Sequence, residues 1–249
     1  MKLTLTEPRY LKDSILIISE LVNEVNLKLT KDKIELIAVD PATVALVVFK
    51  LLSSAFSEYH LDKERTIGIN LDAFTQILKR AKPTDILTLE LEDDKNKLQL
   101  TFKGTTTRTF SLGLLDIDEK EQKVPNLKFA AKIETNTLLF TEAIEDMDII
   151  ADNLSFVASP DKFTIQSEGT TSSGKVEIAN DETTIINLIK EEQQTSRYSV
   201  EYLKKIIKAG KLANTVTLEF GQDYPLRAEY RVLDKLSLQF ILAPRIPTD

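Results

Sequence analysis

ILKRAKPTDILTLEL, residues 77–91, is echoed 129 residues later by IIKAGKLANTVTLEF, residues 206–220. Ile77 aligns with Ile206, Lys79 with Lys208, Lys82 with Lys211, and the trio Thr88, Leu89, Glu90 with Thr217, Leu218, Glu219. The same offset sets DKIELIAVD (32–40) against DKFTIQSEG (161–169), so one shift holds across separate motifs. Chance likeness between short strands does not produce a shared offset, and the chain reads as a duplication. In each copy a cationic, amphipathic segment precedes an alternating β-strand.

Working outward, VNLKLT (25–30), KIELIAV (33–39), VALVVF (44–49), ILTLEL (86–91), KLQLTF (97–102) and TTTRTFSL (105–112) read as strands. Helices are expected over 8–22, where Pro8 suits a first turn, and over 71–81, ended by Pro83. From about residue 128 the order returns: strand FAAKIE, helix TLLFTEAIEDMDII, strands LSFVAS, FTIQSE and KVEIA, helix YLKKIIKAGK, then strands TVTLEF, LRAEY and LSLQFIL. Between the halves, LLDIDEKEQKVPNLKF (114–129) is polar and acidic, as an exposed linker is. The expected fold class is α+β, with an N-terminal domain over 1–113, a connector over 114–127 and a C-terminal domain over 128–249.

The 249 residues carry a net charge of −7, and 42% are hydrophobic, enough for full cores. Cysteine is absent, which excludes disulfides, thiolate nucleophiles and Cys-ligated metals, and fits a reducing cytoplasm. The start lacks the order of a signal peptide, and the longest apolar run, VALVVF, is far too short to span a membrane. His60, read as a surface loop residue, is the single histidine, so a Ser-His-Asp arrangement or multi-His metal site is not expected. The seven glycines are scattered and form no phosphate-cradling loop. Glu90 with Glu92 share a strand face, while Asp93, Asp94 and Lys95 read as a hairpin turn rather than a magnesium site. An enzyme is disfavoured, and no cofactor or metal is expected.

The remaining chemistry is cationic. Lys204, Lys208 and Lys211 form a stripe with Lys205 beside it, Lys79 and Lys82 repeat it next to Arg80, and Arg9 with Lys12 supply a third. A solvated helix face is the ordinary reading of any one stripe. Recurrence on duplicated elements favours a wall that meets phosphates by point-charge attraction, without sequence specificity. No aromatic is interleaved for base stacking, so the implied ligand is duplex backbone.

AVDPATVALVVFKL (38–51), ILKRAKPTDILTLEL, GTTTRTFSL (104–112), TVTLEFGQDYPLRAEY (215–230) and FILAPRI (240–246) together resemble the sliding clamps of the proliferating cell nuclear antigen family, archaeal type. The resemblance implies two clamp-type domains of helices on antiparallel sheet per subunit. It also implies a homotrimer of pseudo-six-fold symmetry closed around duplex DNA, and a processivity factor in DNA replication and repair rather than an enzyme. Implied partners are DNA polymerase, nuclease, ligase and clamp loader, reached through short peptide motifs, in the cytoplasm at the nucleoid.

Carried over by position, the partner-peptide pocket comprises Val39, Asp40, Ala42, Thr43, Val44, Leu46, Val124, Pro125, Pro225, Ile241, Ala243, Pro244, Arg245 and Ile246. The subunit seam comprises Thr105, Thr107, Arg108, Phe110 and Leu112 on one edge and Lys175, Val176, Glu177 and Ile178 on the other. One departure is TEAIEDMDII, where Glu142, Glu145, Asp146 and Asp148 replace cations usual in the family. Glu142 and Asp146 are expected to meet Arg80, Lys82 or Arg108 of a neighbouring subunit. The alternatives are a subunit of a heterotrimeric or checkpoint-type clamp, or a monomeric β-rich peptide-binding adaptor.

Overall fold

The computed structural model describes residues 1–118, 122–189 and 192–246, so residues 119–121 of the expected connector and 247–249 of the tail lie outside the described residues. The first half runs β1 (Lys2–Leu5), α1 (Arg9–Ile18), β2 (Glu24–Leu29), β3 (Lys33–Val39), β4 (Ala45–Leu52), β5 (Glu58–His60), β6 (Arg65–Asn70), α2 (Leu71–Leu78), β7 (Ile86–Glu92), β8 (Lys97–Lys103) and β9 (Thr107–Gly113). The second runs β10 (Ala131–Asn136), α3 (Thr137–Asp148), β11 (Asn153–Ala158), β12 (Lys162–Glu168), β13 (Ser173–Ala179), β14 (Ile185–Leu188), β15 (Gln194–Ser199), α4 (Val200–Ile206), β16 (Thr215–Phe220), β17 (Leu226–Val232) and β18 (Leu236–Leu242). A shift of 129 residues carries β2, β3, β6, β8 and β9 onto β11, β12, β15, β17 and β18 with identical bounds, and brings every other element onto its counterpart within a few residues.

Two compact units result, one mainly Met1–Val124 and the other mainly Pro125–Arg231 with the C-terminal residues. In the first, strands run β5-β1-β7-β8-β9 in one layer and β4-β3-β2-β6 in the other; in the second, β14-β10-β16-β17-β18 and β13-β12-β11-β15 follow the same orders under the shift. The core is the period-two alternation of these strands closed by helices. Leu3, Leu87, Leu100 and Phe102 pack from sheet, with Ile15, Ile18, Phe74 and Leu78 from α1 and α2, all essentially buried. In the second unit Phe140 on α3 meets Phe156, whose ring contacts Phe163, Tyr198 and Phe220 edge-on at 5.2–6.0 Å.

Several expectations need correction. The first helix ends at Ile18, not residue 22: Glu20 N–H to Ile17 O and Leu21 N–H to Ile18 O tighten the chain into a turn, and Val22 is buried beyond it. The second helix ends at Leu78, so Lys79, Arg80 and Lys82 ride on the turns that follow. The last helix ends at Ile206 and continues as a 3-10 turn over Ile207–Lys211. There Gly210 lies close against Thr137, which also donates to Ala213 O at 3.0 Å. His60 ends the short edge strand β5 and is bound to Asp62 at 3.0 Å rather than lying in a loop. Thr105 belongs to the β8–β9 turn and precedes the strand.

The chain leaving β9 turns across the edge of β6, where Leu115 N–H donates to Gly68 O at 2.9 Å. A Cβ at position 68 would collide with the Leu115 carbonyl, so glycine is required there by close backbone approach. Gly68→Ala is expected to cost about 1–3 kcal/mol of stability through this overlap. Thermal unfolding of the variant checks it, and an unchanged midpoint would mean the segment shifts freely.

Candidate nucleic-acid and subunit interface

The first basic cluster is assembled from two elements. Arg9 and Lys12 occupy the first turn of α1, where the helix macrodipole disfavours cations and no acid is present to offset them. Lys12 Nζ donates to the Ala81 carbonyl at 3.3 Å, joining α1 to the turn after α2. One groove is thereby lined by Pro8, Arg9, Tyr10, Lys12, Lys82 and Pro83, with Glu7 and Asp13 on its rim. Lys79 and Arg80 lie exposed beside Lys82 in the same turn.

That turn is held from beneath by Asp85, which sequence reasoning missed. Its carboxylate accepts from the Lys82 backbone N–H at 2.7 Å and is ion-paired to Arg108. The Lys82 amide and the Arg108 guanidinium hold the Asp85 carboxyl below the usual carboxylate range. Arg108 also donates to the Arg80 carbonyl at 2.8 Å and lies 5.5 Å from the Phe102 ring centroid. Arg108 is therefore engaged within its own chain, while Arg80 and Lys82 stay exposed. The available signal was Pro83-Thr84-Asp85, a turn tripeptide directly before a strand.

The second cluster divides. Leu203, Ile206 and Ile207 are buried and Lys204, Lys208 and Lys211 exposed, as the periodicity predicts. Lys204, however, is bound to Asp148 on α3 at 2.6 Å, and Lys205 to Glu201 at 3.0 Å. The four lysines also sit at the C-terminal end of α4 and its 3-10 extension, where they complement the dipole. On α3, Glu142, Glu145 and Asp146 are exposed, with Leu138 and Ile149 on the same face.

The expected seam residues of the two edges, Thr105 apart, lie on the two long edge strands. β9 and β13 are each seven residues, and each borders its sheet with no strand beyond it among the described residues. Leu114 N–H to Asn96 O and Gly104 N–H to Thr106 O bracket the β8–β9 ladder, so its alternation directs the Arg108, Phe110 and Leu112 amides to β8. Thr107, Thr109 and Ser111 amides are left at the open edge. Gly169 N–H to Ser172 O and Asn180 N–H to Asp161 O place β13 likewise, directing the Val176 and Ile178 amides to β12 and leaving those of Lys175 and Glu177 at the edge. Phe110, Val176 and Ile178 are half-buried, Leu112 is buried, and Glu177 is paired with Lys162 and with Lys175.

The expected pocket residues fall on four segments, 39–46, 124–125, Pro225 and 241–246. Val39 ends β3 and Asp40 follows it, buried. Thr43 adopts φ 58, an outlier for a β-branched residue, and Val44 O receives Ala243 N–H at 2.9 Å. Pro225 and Ala243 are half-buried, Ile241 is buried, and Val124, Pro125, Arg245 and Ile246 are exposed. Arg245 N–H donates to Arg197 O at 2.7 Å, seating the tail on the edge of β15 much as Leu115 is seated on β6.

The comparisons bear on the whole chain. The family model for the N-terminal domain of proliferating cell nuclear antigen matches residues 1–123, and that for its C-terminal domain matches 123–245. Curated proteins named DNA polymerase sliding clamp match from Thermococcus gammatolerans, 38% identical over 94% of both chains, and from Nanoarchaeum equitans, 34% identical over 98% of this chain and 99% of that one. A crystal structure of PCNA from Thermococcus kodakaraensis superposes with a TM-score of 0.92 at 27% identity, covering 98% of this chain and 99% of that one. Duplicated α+β units, matching domain models in the same order and relatives of equal span together show that the chain belongs to the proliferating cell nuclear antigen family.

Proposed function

We propose that the chain is one subunit of a homotrimeric sliding clamp that encircles duplex DNA and acts as a polymerase processivity factor, with domains at 1–113 and 128–249 joined by a connector at 114–127. The carrying observation is a pair of open sheet edges in an otherwise faithful duplication. β9 and β13 are each seven residues long and border their sheets with no strand beyond them among the described residues. Pairing β9 of one copy with β13 of the next, head to tail, under a rotation that closes after three copies gives six similar units. Open edges of this length otherwise invite uncontrolled association.

In that ring Arg9, Lys12, Lys79, Arg80, Lys82, Lys204, Lys205, Lys208 and Lys211 face the duplex and contact phosphate without reading bases. Val39, Asp40, Ala42, Thr43, Val44, Leu46, Val124, Pro125, Pro225, Ile241, Ala243, Pro244, Arg245 and Ile246 take the peptide plug of polymerase, nuclease, ligase or clamp loader, raising the local concentration of each on DNA. The chain catalyses no reaction itself and works in the cytoplasm, at the nucleoid. Sedimentation of the purified chain tests the assembly. A species near three times 28.1 kDa is expected; a strict monomer supports a heterotrimeric clamp or a free adaptor instead.

Glu142 and Asp146 are proposed to pair with Arg80 and Lys82 of the neighbouring subunit. Exposed pairs contribute on the order of 0–1 kcal/mol each, so they adjust closure while strand pairing supplies most of it. Trimer mass by light scattering is expected to fall modestly at high salt and on Glu142→Lys with Asp146→Lys. Insensitivity to both would sink the pairing.

A further inference from the structure

The duplication also shows what the second unit does not share with the first. Under the 129-residue shift, Leu46, Ile37, Asn26 and Gly68 are the counterparts of Lys175, Gln166, Ser155 and Arg197. These last four form one cross-strand row on the β13-β12-β11-β15 sheet. The row holding Leu46 and Ile37 is thus replaced by one that is polar throughout with a cation at each end, and it floors an open concavity. Arg197 stands where Gly68 allows close seating of the chain, and Arg245 stands where the first unit has Asp116. The two arginines are joined through the Arg245 N–H to Arg197 O bond at 2.7 Å, and both are exposed. Neither is ion-paired with a described residue.

We infer that Arg197, with Arg245, forms a receptor for carboxylates on the segment of a partner protein that flanks its pocket-bound plug, the flank then running along the row toward Lys175. The inference rests on the peptide-pocket reading above. A guanidinium favours carboxylate in forked geometry, and two exposed arginines whose backbones are hydrogen-bonded to each other offer charge complementarity to a carboxylate. Asp152 and Glu168, which also line the concavity, exclude a flank that is acidic throughout and confine the carboxylates to the arginine end. Arg197, at the end of the row, is hydrogen-bonded to the tail through Arg245, and Ala243, Pro244 and Ile246 of that tail belong to the proposed pocket, so a partner seated there has the row beside it.

The test uses the full chain and a labelled synthetic peptide with a leucine and phenylalanine plug, flanked by glutamate, serine or lysine residues, in fluorescence anisotropy at low salt. The glutamate flank is expected to tighten binding about tenfold over serine. Arg197→Glu should abolish that gain and leave the serine-flanked affinity unchanged. Equal binding of glutamate and serine flanks, or a gain that survives Arg197→Glu, overturns the receptor while leaving the pocket standing. A gain removed by added duplex but not by Arg197→Glu assigns it to the lysine walls and also overturns it. If no peptide binds, the pocket reading fails and this inference fails with it.

Discussion

Thr109→Pro is expected to leave the chain folded and to reduce the proposed ring to single subunits at micromolar concentration. The Thr109 amide is not used by β8, because the ladder alternates and its hydrogen-bonded positions are Arg108, Phe110 and Leu112. Proline is tolerated on an edge strand where its missing N–H faces outward. The intrachain ladder therefore survives, while the facing β13 loses a donor and meets a pyrrolidine ring. Circular dichroism should be unchanged and light scattering should fall toward 28.1 kDa. A trimer that persists would place the seam on other strands.

The second large effect concerns the walls of the proposed ring. Lys79→Glu, Lys208→Glu and Lys211→Glu together are expected to lower polymerase stimulation by at least about tenfold near physiological salt, with the trimer intact. Each lost phosphate contact removes nearly one unit of salt slope, and reversal adds repulsion. Lys204 is left out of the set because Glu there would face the Asp148 carboxylate across α3 and α4. Unchanged stimulation in primer-extension assays would contradict the assigned DNA face.

Much of this architecture was legible because duplication writes the same pattern twice. ILTLEL and TVTLEF alternate strongly, sit one offset apart and became β7 and β16. The strands that escaped notice are short or polar. Glu58–His60 and Ile185–Leu188 are brief edge strands, and RTIGIN and QTSRYS become β6 and β15 along edges lined by the chain after β9 and by the tail. Such strands need little alternation, since backbone pairing from one side and a crossing segment from the other hold them. Helix ends were overextended because apolar spacing continues through 3-10 turns, where Val22 and Ile207 still face the core.

The site was legible as a list of cations but not as their state. Nothing in the order of residues tells that Lys204 is bound to Asp148, 56 positions away, or that Arg108 turns inward to Asp85. Those contacts depend on which elements the fold sets side by side. They also place the cations: Lys79, Arg80 and Lys82 stand exposed on a turn held by Asp85, so the basic stretch at 77–91 presents them from that turn rather than from a helix face.

Topological linkage is the central claim, and one measurement reaches it directly. The clamp is loaded on nicked circular duplex, washed at high salt and quantified before and after the circle is cut at one site. A closed ring around DNA predicts retention on the circle and rapid loss on linearisation, because only a free end releases it. Equal retention on both forms would contradict encirclement and leave ordinary surface binding.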